Sequence, residues 1–439
     1  MKKIILIAFA FLPLFGKAQV QQKMNLSLQE AIQLGLQNRY DVKSKSFNAY
    51  LAKNKISSKK KVWIPDLSAE GNIQYNTQLR TTIVPKSFAA MAGTNELKLG
   101  AKNVSSFGLS LNQPLFQPGI NTDVKIAKAN LALQNEKIKG DKIDVKNAIA
   151  KAYFDVLLKQ LQFKIAKEEE QRFFTYKQLV HGELTNGVAI KNEYLRAKLD
   201  EKNAQIKTQT MQQNYLLALH YLKYQINVPP HTKISLTDSI GKIDLIKNLQ
   251  PPSDIVENRT EIKQLKLKKR ENKLRLKRVR QNALPSISFV GYYAQLYQND
   301  NFRYTESRWW SPQSYLGLKI DIPITANFSN KNNIQTQEIK EKQLGMSLKQ
   351  RKSDVRFQIQ KARTDLENAQ ENRNTAKKNY DLSQRIYKNQ QQQFKLGAFD
   401  YSNLLNTEKS MYKSEENYIQ AVYKYIRAKI AYWKAVGEW

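Results

Sequence analysis

Apolar positions along this chain change period from helical to strand-like and back, once in each half, and the changes fall at prolines. From Leu26 to Lys61, Leu28, Ile32 and Leu36 recur every four residues, with Ser27 and Glu30 set as a capping box. This predicts a helix that stops before Pro65. Proline removes a backbone donor and pushes the preceding residue out of the α region. Beyond it the period is two: Leu67, Ala69, Gly71, Ile73 and Tyr75 alternate with Ser68, Glu70, Asn72, Gln74 and Asn76. That is a strand over about 66–78 with one apolar and one polar face. After a loop of mixed composition, Phe107, Leu109 and Leu111 alternate with Ser106, Gly108, Ser110 and Asn112, predicting a second strand over about 104–114.

The pattern then repeats. Ile287, Phe289, Gly291 and Tyr293 alternate along a third strand (about 286–297), and Leu316, Leu318 and Ile320 share one face of a fourth (about 314–323). Asn38-Arg39 and Asn258-Arg259 open matching segments, each with a proline 27 positions later (Pro65, Pro285) and a glycine six beyond that (Gly71, Gly291). Between Pro118 and Pro229, and again after Pro323, there is no proline, and each tract holds one glycine turn. Each therefore reads as two helices, the first near 60 residues and so about 90 Å long. Val145, Ile149, Ala152 and Val156 recur as Val355, Ile359, Ala362 and Leu366, 210 positions on, while Leu405, Tyr412, Ile419, Ile426 and Trp433 fall seven apart. These spacings read as narrow coiled-coil seams. The chain is a tandem duplication: a first repeat over 19–228, a linker over 229–252 and a second repeat over 253–439. The fold class is mainly α with a membrane β-barrel portion, four strands to each protomer.

Residues 1–18 begin Lys2-Lys3, run apolar from Ile4 to Phe15 and end Gly16-Lys17-Ala18, the form of a secretory signal cleaved after Ala18 rather than of a buried helix. No other segment reaches the roughly 18 consecutive apolar residues of a membrane-spanning helix. The 439 residues contain no cysteine, which excludes disulfides, thiolate chemistry and a Cys-linked lipid anchor. Mean hydropathy is -0.61. Lys+Arg exceed Asp+Glu to give a net charge of +34, with a basic block from Arg259 to Arg280. In the cytosol such a block would point to nucleic acid. An exported chain instead presents a solvated helix face or a surface near anionic lipid headgroups. Histidines occur only at His181, His220 and His231, and no HExxH, GxSxG or phosphate-binding glycine loop is present. The sequence therefore reads as neither an enzyme nor a cofactor or metal carrier.

Four strands with one apolar and one polar face cannot close a barrel alone, and unpaired edges in lipid cost several kcal/mol per group. Two copies supply eight strands, which fill with side chains, whereas three supply twelve, which can leave a channel. The apolar faces would meet lipid and the Ser/Asn/Gln/Glu faces the lumen. The duplicated helix-strand-strand-helix-helix plan resembles the TolC-type outer-membrane efflux channel family. The Leu26-Ser27-Leu28-x-x-Ala31 opening, the two Asn-Arg segments, the proline-ended helices and the Phe394-x-x-Gly397 turn with Leu404-Leu405 carry the likeness.

The resemblance implies a homotrimer with a twelve-stranded barrel in the outer membrane, continuing into a periplasmic α-helical tunnel. Such channels are passive exit ducts of tripartite efflux pumps or type I secretion systems, partnered by a periplasmic adaptor and an inner-membrane transporter. Adaptors dock at the helical-hairpin tips, here Asn186-Gly187-Val188-Ala189 and Leu396-Gly397-Ala398-Phe399. Some members carry constriction carboxylates six and nine residues after the second glycine. Those positions here are Asn403 and Asn406, with Asp400 and Glu408 nearby, so a cation-binding ring does not carry over. An exported coiled-coil scaffold or adhesin would account for the helices but not for the two-faced strands. Cargo, whether drug, metal ion or protein, is set by the transporter and stays open.

Overall fold

The computed structural model describes residues 23–437 apart from 84, 86–92, 94–95, 239–253, 397, 399 and 400. The expected signal (1–18) and most of the linker lie outside the described residues. The chain forms two compact units, one of Met1–Lys43, Asp141–Ile255 and Val355–Trp439, the other of Ser44–Gly140 and Val256–Asp354. Below, the first is called the core unit and the second the sheet unit.

The predicted helix over 26–61 is two helices. After strand β1 (Lys23–Leu26), α1 runs Leu28–Asn38 and α2 Tyr40–Lys61. The Ser27–Glu30 capping box forms at the start of α1. The break falls at Arg39, which is extended (φ -61, ψ 128). Its guanidinium spans both oxygens of Asp41 at 2.9 and 2.7 Å, and Asp41 in turn accepts from the Val42 N–H at 2.9 Å. Arg39 also donates to the Gln225 side chain and carbonyl.

The second copy repeats the device. A single helical turn, α5 (Ile255–Asn258), ends at Arg259, extended at φ -60 and ψ 136, and α6 (Thr260–Gln281) follows. Arg259 grips Glu261 at 3.2 and 2.8 Å. The duplicated motif is therefore Asn-Arg-x-Asp/Glu: an arginine that leaves the helix and holds the acid in the first turn of the next, where a carboxylate also favours the dipole. Burial alone would raise the Glu261 carboxyl, but the hydrogen bonds and charge of Arg259, with Arg351, outweigh it and hold it at about 2.

Helix α3 (Gly119–Thr185) and helix α4 (Lys191–Ile226) make one hairpin, and α7 (Ala326–Lys395) and α8 (Tyr401–Val436) make the other; the core unit holds α3 from Asp141 on and α7 from Val355 on. The seam predicted on α3 is wider than 4-3-4 spacing implies. Ile149, Ala150, Tyr153, Phe154, Val156, Leu157 and Leu158 are all buried, so this stretch is enclosed on nearly every side. A collar that the periodicity did not show contributes: β1 pairs in parallel with β6 (Lys233–Leu236), from Lys23↔Lys233 to Leu26↔Leu236. The fully buried Tyr153 hydroxyl donates to Asp238 Oδ2 at 2.7 Å, with the Leu26 carbonyl also within reach at 3.0 Å. The same Asp238 oxygen accepts from the Leu28 N–H at 3.0 Å. On α1, Gly35 packs against Ile149, whose side-chain tip a β-carbon there would displace.

The sheet unit carries β2 (Asp66–Tyr75), a small hairpin of β3 (Arg80–Ile83) and β4 (Glu96–Leu99), β5 (Asn103–Phe116), β7 (Ser286–Asn299) and β8 (Trp310–Asp321). The β3–β4 pair lies where the sequence pattern read only loop. The main sheet has the order β2-β5-β7-β8, antiparallel throughout. The helix ends beneath it are tied by charge: Asp123 pairs with Arg278 at 3.1 Å and Glu338 with Arg280 at 3.1 Å.

Candidate functional site

Register decides what the sheet can do. Directly opposed residues share a face, and the pairing sets Leu67, Leu111, Gly291 and Leu316 in one row and Ala69, Leu109, Tyr293 and Ser314 in the next. The apolar sets of all four strands thus fall on one face, with Phe289 among them. The opposite face holds Ser68, Ser110, Ser288 and every charged residue of the four strands, namely Asp66, Glu70, Lys319 and Asp321. A one-residue slip in any pair would have mixed the two sets.

At the loop end of the apolar face, Tyr297 stacks on Tyr304 with ring centroids 4.1 Å apart, and Trp310 lies 5.3 Å from Tyr297 and 6.0 Å from Phe107. Trp310 Nε1 donates to the Tyr304 carbonyl at 2.8 Å. An aromatic body with its polar tip satisfied suits the boundary between lipid and water. Among the described residues no other strand pairs with the outer edges of β2 and β8. No helix among them is long and apolar enough to cross a membrane.

The first hairpin tip is a tight reversal. Gly187 has φ +73, and the two bonds of a Schellman motif close over it, Val188 N–H to Glu183 O at 2.9 Å and Gly187 N–H to Leu184 O at 3.1 Å. Ala189 is buried against Val180 and Ala197, whereas Val188 and Ile190 stand in solvent at 78% and 63% exposure. Asn186 bonds back to the Gly182 carbonyl at 3.1 Å.

At the second tip the Ala398 N–H bonds to the Gln393 carbonyl at 3.0 Å, the counterpart of the Val188 bond 210 positions earlier. Leu396 and Ala398 are exposed; Gly397, Phe399 and Asp400 lie outside the described residues. Asn403 and Asn406 are exposed on the first turns of α8.

Glu408 departs from this exposed setting: it is buried in a charged cluster that joins the two hairpins within the core unit. Arg172 Nε lies 3.4 Å from Glu408 Oε1, and the Tyr412 hydroxyl donates to the same oxygen at 3.0 Å. Arg172 also sits over the Tyr412 ring, 4.9 Å from its centroid. Lys207 pairs with Glu169 at 2.7 Å and Lys177 with Glu201 at 3.0 Å. Burial raises the Glu408 carboxyl to about 6; Arg172 opposes that, and Glu169 and Asp200 add to it. A linear reading cannot pair residues from separate hairpins. The one available signal is an acid two turns into an amphipathic helix, on its apolar side. Among the described residues no group of three or more His, Asp or Glu side chains could hold a metal ion.

Solved structures with the same fold include outer-membrane channels. The chain superposes on CusC, whose crystal structures concern folding and transmembrane channel formation, with a TM-score of 0.76 at 16% identity over 93% of this chain and 91% of that one. For the Campylobacter jejuni CmeC outer membrane channel the TM-score is 0.74 at 16% identity, covering 93% and 85%. For the open state of the Neisseria gonorrhoeae MtrE outer membrane channel it is 0.73 at 16% identity, covering 93% and 88%. Among curated protein sequences none matches. The outer membrane efflux protein family matches residues 31–226 and 252–438, one stretch in each repeat. With that match across most of its length, and with this fold, the chain belongs to the outer membrane efflux protein family.

Proposed function

We propose that this protein is the passive exit duct of a tripartite efflux pump, three copies closing one twelve-stranded barrel in the outer membrane. The observation that carries the reading is the segregation of the open sheet. One face is free of charge and ends in aromatics, the other holds every charged residue of its four strands, and among the described residues its two outer edges lack partners. In lipid only closure satisfies those edges. Two copies would give a barrel filled by its own side chains, whereas three leave a bore. The helices then continue into the periplasm as a tunnel. The tips at Asn186–Ala189 and Leu396–Phe399 meet a periplasmic adaptor that links the duct to an inner-membrane transporter. A type I secretion system would use the same duct.

The test is extraction and mass. The protein is expected to leave the membrane fraction only with detergent, to run as a trimer in mild detergent, and to conduct ions in a planar bilayer. A water-soluble monomer or dimer would overturn the reading. The kind of transporter that co-purifies with it then separates a pump from a secretion system.

A further inference from the structure

One register row on the charged face stands apart from the rest. Ser68, Ser110, Tyr292 and Tyr315 lie directly across the four strands, so that every position in the row bears a hydroxyl. The two serines bond to each other, Oγ to Oγ at 2.7 Å. The two tyrosines stack, ring centroids 5.6 Å apart and planes 26° from parallel. On the same face Gly317 follows Tyr315 and Ala294 follows Tyr292, each two residues on, while Gln313 and Val290 precede them. A β-carbon at Gly317 would meet nothing within 4 Å. Tyr315 keeps 53% of its surface exposed, although it sits in mid-strand with a ring stacked on it.

Charge on this face runs against that of the whole chain. From the Asp66 row to the loop end the face holds Asp66 and Glu70, one residue to either side of the Ser68 position in the alternation, and no lysine or arginine. Neither carboxylate forms an ion pair among the described residues. Lys319 lies nearer the helices, opposite Ser288.

We propose that this row forms, in three copies, an aromatic girdle inside the bore that engages aromatic cations as they pass. The proposal rests on the duct reading above, in which the charged face lines the lumen. Six tyrosine faces, rimmed by hydroxyls and flanked by six carboxylates, offer stacking and cation–π attraction to a flat cationic ring. The same surface repels an aromatic anion of similar size. Neither the carboxylates nor the hydroxyls would hold the ring without the aromatic faces, and the aromatic faces alone would not select charge.

The experiment is current block in planar bilayers holding purified trimers, with probe added on the loop side. The probes are ethidium, an aromatic cation, and naphthalenesulfonate, an aromatic anion. Ethidium is expected to reduce the current at about tenfold lower concentration than naphthalenesulfonate. The double variant Tyr292→Ala/Tyr315→Ala should weaken ethidium block about fivefold, with unit conductance unchanged or raised. Tyr315→Phe should retain the block. Glu70→Gln, which leaves the tyrosines in place and keeps the proposal testable if the double variant assembles poorly, should weaken ethidium block and, with one repelling charge gone, strengthen block by naphthalenesulfonate. Equal block by the two probes, or full ethidium block in the alanine variant, would overturn the girdle while leaving the duct reading intact. Trimers that conduct no ions at all would overturn the duct reading itself, and the girdle with it.

Discussion

Leu109 and Ser110 are neighbours on one strand and test the channel wall with a single type of substitution. Both lie near the middle of β5, which is flanked on both sides, by β2 and β7. Leu109 shares its row with Ala69 and Tyr293 on the uncharged face; Ser110 shares its row with Ser68 and Tyr292 on the other. An arginine on the lipid side near the bilayer midplane costs about 2–4 kcal/mol. Three copies make that about 6–12 kcal/mol for a trimer, comparable to the whole stability of an ordinary domain. At Ser110 an arginine meets lumen water and loses the 2.7 Å bond to Ser68, a cost of about 1 kcal/mol per copy. Leu109→Arg should therefore nearly abolish trimer in the outer-membrane fraction, while Ser110→Arg leaves most of it. The measurement is trimer abundance in detergent extracts, compared at equal expression, with urea titration of trimers refolded into vesicles giving the energy directly. Equal losses from both substitutions would refute the assignment of faces, and a greater loss from Ser110→Arg would reverse it.

Other substitutions probe the hairpin tip, the collar and the buried cluster. Gly187→Leu places a β-carbon in the left-handed region at a cost of about 1 kcal/mol. Trimer level should hold while export falls, and a parallel fall in both would make the glycine only a helix stop. Tyr153→Phe removes the donor shared by Asp238 and the Leu26 carbonyl, at about 1–3 kcal/mol. Amide exchange at Leu26 and Thr237 should quicken, and unchanged exchange would mean that β1 and β6 hold without the clasp. Glu408 has a folded pKa of about 6, above its ordinary 4.5, mainly through burial. Protonation therefore favours the folded state: its contribution is complete below about pH 4.5 and is lost as pH rises through about 6. Glu408→Gln should stabilise the protein at pH 7.5 by about 2 kcal/mol, with the difference closing toward pH 4.5 in thermal melts. A variant less stable than the parent at pH 7.5 would show that the Arg172 pair outweighs desolvation.

Much of this architecture is written in local pattern. Period-two alternation marks Leu67 to Tyr75 and Ile287 to Tyr293 as two-faced strands without reference to any neighbour, because side chains on a strand alternate by geometry. Prolines at 65 and 285 place the helix-to-strand junctions, since a ring without a donor cannot continue the ladder. The duplication places the hairpin turns 210 positions apart. The break at Arg39 was not legible, because the residues around it keep helical spacing. What opens the helix is a guanidinium that reaches Asp41 and, far along the chain, Gln225. Nor was the near-complete enclosure of α3 from Ile149 to Leu158, to which β1 pairing with β6 about 210 positions away contributes. Only tertiary register could place Tyr292 beside Tyr315 and gather Asp66, Glu70, Lys319 and Asp321 on one face of the sheet. Only packing between hairpins could bury Glu408 against Arg172. Periodicity is a property of one helix or strand and survives in the sequence; partnership between distant charges and rings is set by which elements meet, and at what register.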